Sequence, residues 1–318
     1  MRATQVVAPR TIQVVDVPKP EMAPGKVFIR TVYASICGSD MPAAMGVRPE
    51  SAYPMEPGRP GHEIVAVVED SDADGFMPGD RVLDTAYDGA MREFHVRNPV
   101  DLIPLPDDRP LEELLMAQPL GTVVHAAKKW PSVLGWDTVV IGQGAIGLFF
   151  TSLLHMLGAR KVITIDLEDF RLSVAKTLGA THTINPQRDD PVASVNDITG
   201  GRLADMVVEA CGREATYNLM MPLVRRLGYI TIFGLPKQNP TPMQMGAFVQ
   251  KEPTIVGAYT IGIPQKADEF VLARDLILQN RVHVRPLLTH FLPIEEAQHG
   301  FELADSHADN AVKVVFRF

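Results

Sequence analysis

The stretch Asp137–Asp166, DTVVIGQGAIGLFFTSLLHMLGARKVITID, decides how the rest of the chain is read. Five strand-forming residues run into Gly142, Gly144 and Gly147. An apolar helical stretch follows, and then a second β-branched run that stops at Asp166. Glycines at this spacing are common in turns, and the flanking strand and helix are what give them meaning. The first permits the tight turn, the second lets backbone approach a pyrophosphate, and the third lets the helix pack close to the sheet. The helix amino terminus attracts the anion. Gly142, Gly144, Ala145, Ile146 and Gly147 are therefore candidate dinucleotide contacts. Asp166 stands about 20 residues beyond the last glycine, where a carboxylate accepts hydrogen bonds from the adenosine ribose hydroxyls and repels a 2′-phosphate. NAD is thus expected over NADP. Arg171 is placed either to contact the same ribose or to soften that preference by pairing with a phosphate.

Outward from this unit, strand and helix keep alternating through ADMVVEACG, ATYNLMMPLVRRLG, YITIFGL and TIVGAY. Apolar strands alternating with amphipathic helices predict a parallel sheet covered on both faces. The preceding part differs. KVFIRTVYA, EIVAVVED, GDRVLDTAY and EFHVR are short β-branched runs divided by Pro and Gly, the texture of an antiparallel domain. Between the two textures, LEELLMAQPLGTVVHAAKKW has helical spacing and is expected to break at Pro119. After Tyr259 come a helix, QKADEFVLARDLILQNRV, then EEAQHGFELADS and a terminal strand, AVKVVFRF, which resembles the β-rich part. The fold class is α/β, with a β-rich domain at 1–118 and 261–318 interrupted by a doubly wound domain at 119–260.

The chain has 318 residues, with 30 basic and 38 acidic side chains and a net charge of −8. A nucleic-acid partner would need a concentrated basic face, and no basic run is longer than a pair such as Lys128–Lys129. No apolar run approaches the roughly 20 residues that cross a bilayer. The amino terminus lacks the charged-then-apolar pattern of a secretory signal. Two cysteines cannot form a disulfide framework. A reduced, cytoplasmic protein with no membrane partner is expected.

One of those cysteines, Cys37, sits in ICGSD, with His62–Glu63 downstream in GRPGHEI. A nicotinamide accepts hydride, but an alcohol must also lose a proton, and a Lewis acid that lowers the hydroxyl pKa solves this. Thiolate, imidazole and oxygen ligands with an open position are the usual catalytic zinc arrangement. Asp40 can serve as the carboxylate that orients the imidazole. Taken singly, each residue has a plain alternative: a small buried side chain, a turn histidine, a surface charge. Cys211, at the end of a predicted strand, reads as core.

CGSD, GHEIVAVVED, PGDRV and GQGAIG, in this order and spacing, resemble the zinc-containing medium-chain dehydrogenase/reductases, relatives of alcohol, sorbitol and glucose dehydrogenases. The resemblance extends through DMVVEACG, GYITIFGL and the terminal KVVF. It implies a GroES-like catalytic domain interrupted by a Rossmann domain, with the active site in the cleft between them. It also implies that Cys37 and His62 are zinc ligands, that Glu63 is the acidic residue beside the metal, and that Ser39 takes the substrate proton. A homodimer or homotetramer is implied too, through the last strand of the Rossmann sheet.

Four positions depart from the family pattern. Gln118, in AQPLGTVVHA, stands where relatives place a third ligand, and an amide is a poorer ligand than a carboxylate or thiolate. The metal set expected is Cys37, His62 and Glu63, with Gln118 bound weakly or through water. The four-cysteine structural zinc lobe is absent from VLDTAYDGAMRE, so one catalytic zinc and no structural zinc are expected. Pro42 replaces the histidine that ends the proton relay in alcohol and sorbitol dehydrogenases, leaving a ribose hydroxyl with water, or Glu63, as the exit. Ala66 stands at a usual glycine. The function expected is a zinc-dependent, NAD(H)-linked dehydrogenase oxidising a secondary alcohol of a polyol or sugar-like substrate, or running in reverse. A zinc-free quinone or enone reductase of the same fold and a non-catalytic dinucleotide-binding protein are the alternatives.

Overall fold

Short runs of valine and isoleucine cut by Pro and Gly fold as an antiparallel sheet, and the long βαβ runs fold as a parallel one. The computed structural model describes residues 1–44, 46, 49–87, 89–236, 240–243, 245–259 and 266–318. It contains two compact units: Met1–Gly121 with Ile263–Leu278 and Val284–Phe318, and Thr122–Gly262 with Gln279–His283. The expected return of the chain at residue 261 lies outside the described residues.

The first unit opens with the hairpin β1 (Arg2–Ala8) and β2 (Thr11–Asp16). Then come β3 (Val27–Ser35), a short helix α1 (Met41–Ala44), β4 (Ile64–Ser71), β5 (Arg81–Asp84), β6 (Phe94–Arg97) and β7 (Leu102–Leu105). Helices α2 (Leu111–Leu114) and α3 (Ala117–Ala127) lead onward. Pro119 does not break the helix as the sequence suggested. It lies in the first turn of α3, where its missing N–H would have no intrahelical partner anyway.

The second unit runs β8 (Asp137–Ile141), α4 (Ala145–Met156), β9 (Lys161–Ile165), α5 (Asp169–Thr177), β10 (His182–Ile184) and α6 (Pro191–Ile198). It continues with β11 (Ala204–Glu209), α7 (Glu214–Leu223), β12 (Val224–Ile232), α8 (Gly246–Lys251) and β13 (Thr254–Gly257). The chain ends with α9 (Lys266–Leu278), β14 (Leu288–Pro293), α10 (Ala297–Ser306) and β15 (Lys313–Arg317). Strand β14 escapes the sequence reading because LTHFLP has neither clean alternation nor a continuous β-branched run. It is held by parallel pairing to β15.

In the first unit the sheet order is β14-β15-β3-β4-β5-β7, with β6 also pairing to β3. Val27, Ile29, Ile64, Ala66, Val68 and Val82 cluster in its core. In the second unit all pairings are parallel, in the order β10-β9-β8-β11-β12-β13. The strand order reverses between β8 and β11, the crevice where doubly wound sheets bind ligands. Every residue of β8 is buried, as expected of a strand covered on both faces. Val139, Ile163, Val207 and Ile230 are fully buried there, each contributing about 1.5–3 kcal/mol.

Candidate active site

The register of the first sheet brings together the three residues expected as metal ligands. Antiparallel pairing sets Ala34 on β3 against Ile64 on β4. Cys37 follows the end of β3 and His62–Glu63 precede the start of β4, so they emerge at the same sheet end. The Cys37 thiol, one imidazole nitrogen of His62 and one Glu63 oxygen all lie within 4.8 Å of one another. On the other side of β3, Val315 of β15 pairs with Ser35, which brings Lys313 to the same end.

Glu63 is fully buried. Its Oε2 accepts from the Ser35 hydroxyl and pairs with the Lys313 ammonium at 2.5 Å. Lys313, itself buried, also donates to the Ile36 carbonyl at 2.9 Å. Among the described residues the other oxygen, Oε1, is buried with no hydrogen-bond partner, a costly state for a carboxylate. Asp40 is buried as well; its Oδ2 accepts from the Cys37 N–H at 2.9 Å and its Oδ1 stands 3.5 Å from His62 Nδ1. That contact leaves Nε2 as the nitrogen open to a ligand.

Electrostatics point the same way. Burial lowers the proton affinity of His62, but its interactions with Cys37, then with Asp40 and Glu63, overcome it and push the imidazole up to about 9. Burial raises Asp40 despite its contact with His62. The neighbours of His62 thus favour a positive charge at this position. A thiol, an imidazole and an unpartnered carboxylate oxygen suit zinc chemically. Of the remaining candidates, Ser39 is exposed two residues after Cys37, Pro42 is exposed on α1, and Gln118 is buried in the first turn of α3.

Sequence reasoning missed Ser35, Lys313 and Tyr87. The Tyr87 ring stacks on the His62 imidazole, centroids 4.3 Å apart and planes 13° from parallel. Only the sheet register or the loop path reveals these partners.

In the second unit the glycine loop has three distinct environments. Gly142 has φ +90°, and a Cβ there would meet Cys211 Sγ at 2.2 Å. At Gly147 a Cβ would meet the Gly142 carbonyl at 1.8 Å, so close helix–strand packing requires glycine. A Cβ at Gly144 would meet nothing within 4 Å, leaving open the backbone approach a pyrophosphate needs. Asp166 Oδ2 accepts from the Gln143 N–H at 2.5 Å and its Oδ1 from Glu168 N–H at 2.9 Å. A carboxylate has about four lone-pair sites, so capacity remains for a ribose. The Gln143 side chain turns inward: its amide donates to the Gly142 carbonyl at 2.9 Å and accepts from Thr151 on α4. Ala145 and Ile146 open α4, and Arg171 lies partly buried on α5. Glu209, at the end of β11, accepts from the N–H groups of Cys211 and Gly212 and from Thr216. Burial pushes the Cys211 thiol up to about 12, consistent with a packing role. Among the described residues, no helix is long and apolar enough to cross a membrane.

Known proteins share this organisation. The alcohol dehydrogenase GroES-like domain model matches residues 23–107, and the zinc-binding dehydrogenase model matches 145–278. An uncharacterized zinc-type alcohol dehydrogenase-like protein of Haemophilus influenzae is 30% identical, covering 96% of this chain and 95% of its own. Sorbitol dehydrogenase of Bacillus subtilis is 26% identical over 99% of this chain and 96% of its own. The solved structure of an alcohol dehydrogenase from Thermus sp. ATN1 is 27% identical and superposes with a TM-score of 0.85, covering 100% of this chain and 99% of that one. The GroES-like sheet, the doubly wound sheet and these matches agree: the chain belongs to the zinc-type medium-chain alcohol dehydrogenase family and is a dehydrogenase.

Proposed function

We propose that this dehydrogenase is zinc-dependent and NAD(H)-linked, and that it interconverts a secondary alcohol of a polyol or sugar-like substrate with the ketone. The observation that carries the reading is the Cys37–His62–Glu63 set, with His62 and Glu63 buried, Cys37 half-buried, and one Glu63 oxygen unpartnered among the described residues. Cys37 and His62 would hold the metal as thiolate and neutral imidazole, with Glu63 beside it and Gln118 bound weakly or through water. A zinc ion there supplies Lewis acidity that brings an alcohol hydroxyl towards ionisation at neutral pH, and a nicotinamide supplies the hydride acceptor.

The chain's own residues do the rest. Asp40 orients His62 and holds the Cys37 backbone. Lys313 and Ser35 fix Glu63. The exposed Ser39 hydroxyl takes the substrate proton and passes it outward, and Pro42 cannot continue that relay. Gly142, Gly144, Ala145, Ile146 and Gly147 cradle the dinucleotide, while Asp166 selects the unphosphorylated ribose, with Arg171 beside it. The division of labour is a catalytic domain at 1–118 and 261–318 and a cofactor domain at 119–260. The polyol class is supported by the Bacillus subtilis relative. Edge strand β13 carries an exposed Ile255, which supports a homo-oligomer paired through that strand. We place the protein in the cytoplasm, with no membrane or nucleic-acid partner.

A screen of NAD and NADP reduction over polyols, sugars and simple alcohols, with and without added zinc, tests the reading. Zinc-stimulated, NAD-preferring turnover of a polyol is expected. Cofactor reduction indifferent to chelation would favour the zinc-free reductase alternative.

A further inference from the structure

Tyr87 lies in the loop that joins β5 to β6. It is 46% exposed, whereas the His62 imidazole beneath it belongs to a residue only 6% exposed. Rings 4.3 Å apart and 13° from parallel have the offset-stacked geometry of a genuine aromatic contact. The phenol ring thus covers the histidine at a partly exposed position.

The position of this ring is built rather than incidental. Asp84, fully buried at the end of β5, accepts from the Ala86 N–H at 2.8 Å and pairs with Arg97 at 2.6 Å. Arg97 contacts His95 Nδ1 at 2.9 Å, and His95 Nε2 reaches the Arg92 carbonyl at 3.1 Å. One connected network thus clamps the loop just before Tyr87 and again at Arg92. The loop is also bonded to the segment that carries the histidine: Ala90 N–H donates to the Gly61 carbonyl at 3.1 Å, and Met91 N–H to Gly58 at 3.0 Å. Gly61 has φ +142°, and a Cβ there would crowd the Ala90 and Met91 side chains at 3.0 Å, so glycine favours this close approach.

We infer that Tyr87 is a positioning residue for the metal centre, its ring fixing the plane of the His62 imidazole while Asp40 fixes the rotation within that plane. The inference rests on the proposed zinc site. Asp40 touches the ring at one edge, Nδ1, and an edge contact leaves the ring free to rock about it. A flat aromatic face against the imidazole removes that freedom and keeps water from one side. Together they determine where Nε2 points. Groups that orient a metal-bound histidine typically alter metal affinity by about 10–100-fold when removed.

The test compares Tyr87→Leu, which keeps bulk but loses the flat face, with Tyr87→Phe, which keeps the face and loses the hydroxyl. Zinc affinity is measured by chelator competition on the purified chain, and ligand geometry by the visible absorption of the cobalt-substituted protein. Thermal melting reports folding. The expected result is a zinc affinity at least about tenfold weaker and an altered cobalt spectrum for Tyr87→Leu, with Tyr87→Phe close to the parent in both. If Tyr87→Leu folds and binds zinc as tightly as the parent with an unchanged cobalt spectrum, the inference is overturned while the zinc site stands. If the parent protein itself binds neither metal, the zinc site fails and the inference falls with it. Should Tyr87→Leu not fold, a Tyr87→Phe variant that loses metal affinity would overturn it instead, since the stacking face is intact there.

Discussion

Replacing Lys313 with methionine removes an ammonium and keeps most of its apolar stem. In the native protein that ammonium sits 2.5 Å from Glu63 Oε2, with both residues buried. After the change, Glu63 keeps only the Ser35 hydroxyl among the described residues, since Oε1 has no partner among them. Removing one partner of a buried pair typically costs about 3–5 kcal/mol, because the remaining charge is left uncompensated. The lost hydrogen bond to the Ile36 carbonyl adds about 1 kcal/mol. At roughly 2–4 °C per kcal/mol for a unit of this size, the unfolding midpoint of the metal-free protein should fall by about 8–24 °C. Two further outcomes separate this cause from general damage. Adding Glu63→Gln to Lys313→Met should recover most of the loss, because the uncompensated charge is gone. Saturating the Lys313→Met protein with zinc should also recover part of it, since a cation beside Glu63 replaces the missing ammonium. Urea unfolding followed by circular dichroism, on apo and zinc-loaded samples, gives the cycle. A single mutant within about 1 kcal/mol of the parent would refute the reasoning, as would a double mutant no more stable than the single one.

Two other predictions concern different parts of the chain. Asp166→Asn should weaken NAD binding by about tenfold or more while narrowing the gap to NADP, read by titrating both cofactors calorimetrically; an unchanged preference would remove Asp166 from the ribose site. His95 is buried and close to Arg97, and both burial and that guanidinium hold its pKa well below 6.5. The unfolded chain binds this proton first, so stability should be full above pH 6.5 and should fall below it by up to about 1.4 kcal/mol per pH unit. His95→Gln should flatten that slope, measured by unfolding at a series of pH values.

How much of this was legible in the sequence follows from which information is local. The glycine loop is local: the turn, the close packing at Gly147 and the open space at Gly144 all follow from one strand–loop–helix segment, and reading residue types in order recovers them. Cys37, His62 and Glu63 were legible only as a set of suitable types, because what joins them is the register of Ala34 with Ile64. The supports of Glu63 were not legible at all. Ser35 lies at the end of one strand and Lys313 at the start of the last, and nothing in a lysine before VVF announces burial against a carboxylate. Tyr87 reads as the end of the strand run GDRVLDTAY, whereas it lies beyond β5 in a loop whose path is set by buried Asp84 and Arg97. Pro119 misled because a proline within a helical pattern breaks it only beyond the first turn.

The central claim is tested most directly by metal analysis of the purified protein and of its Cys37→Ala/His62→Ala double variant, with turnover followed in parallel. The account predicts about one tightly held zinc per chain, absent from the double variant together with alcohol oxidation, while NAD binding to the second unit persists. A correctly folded double variant that still oxidises its alcohol at the parent rate would contradict it.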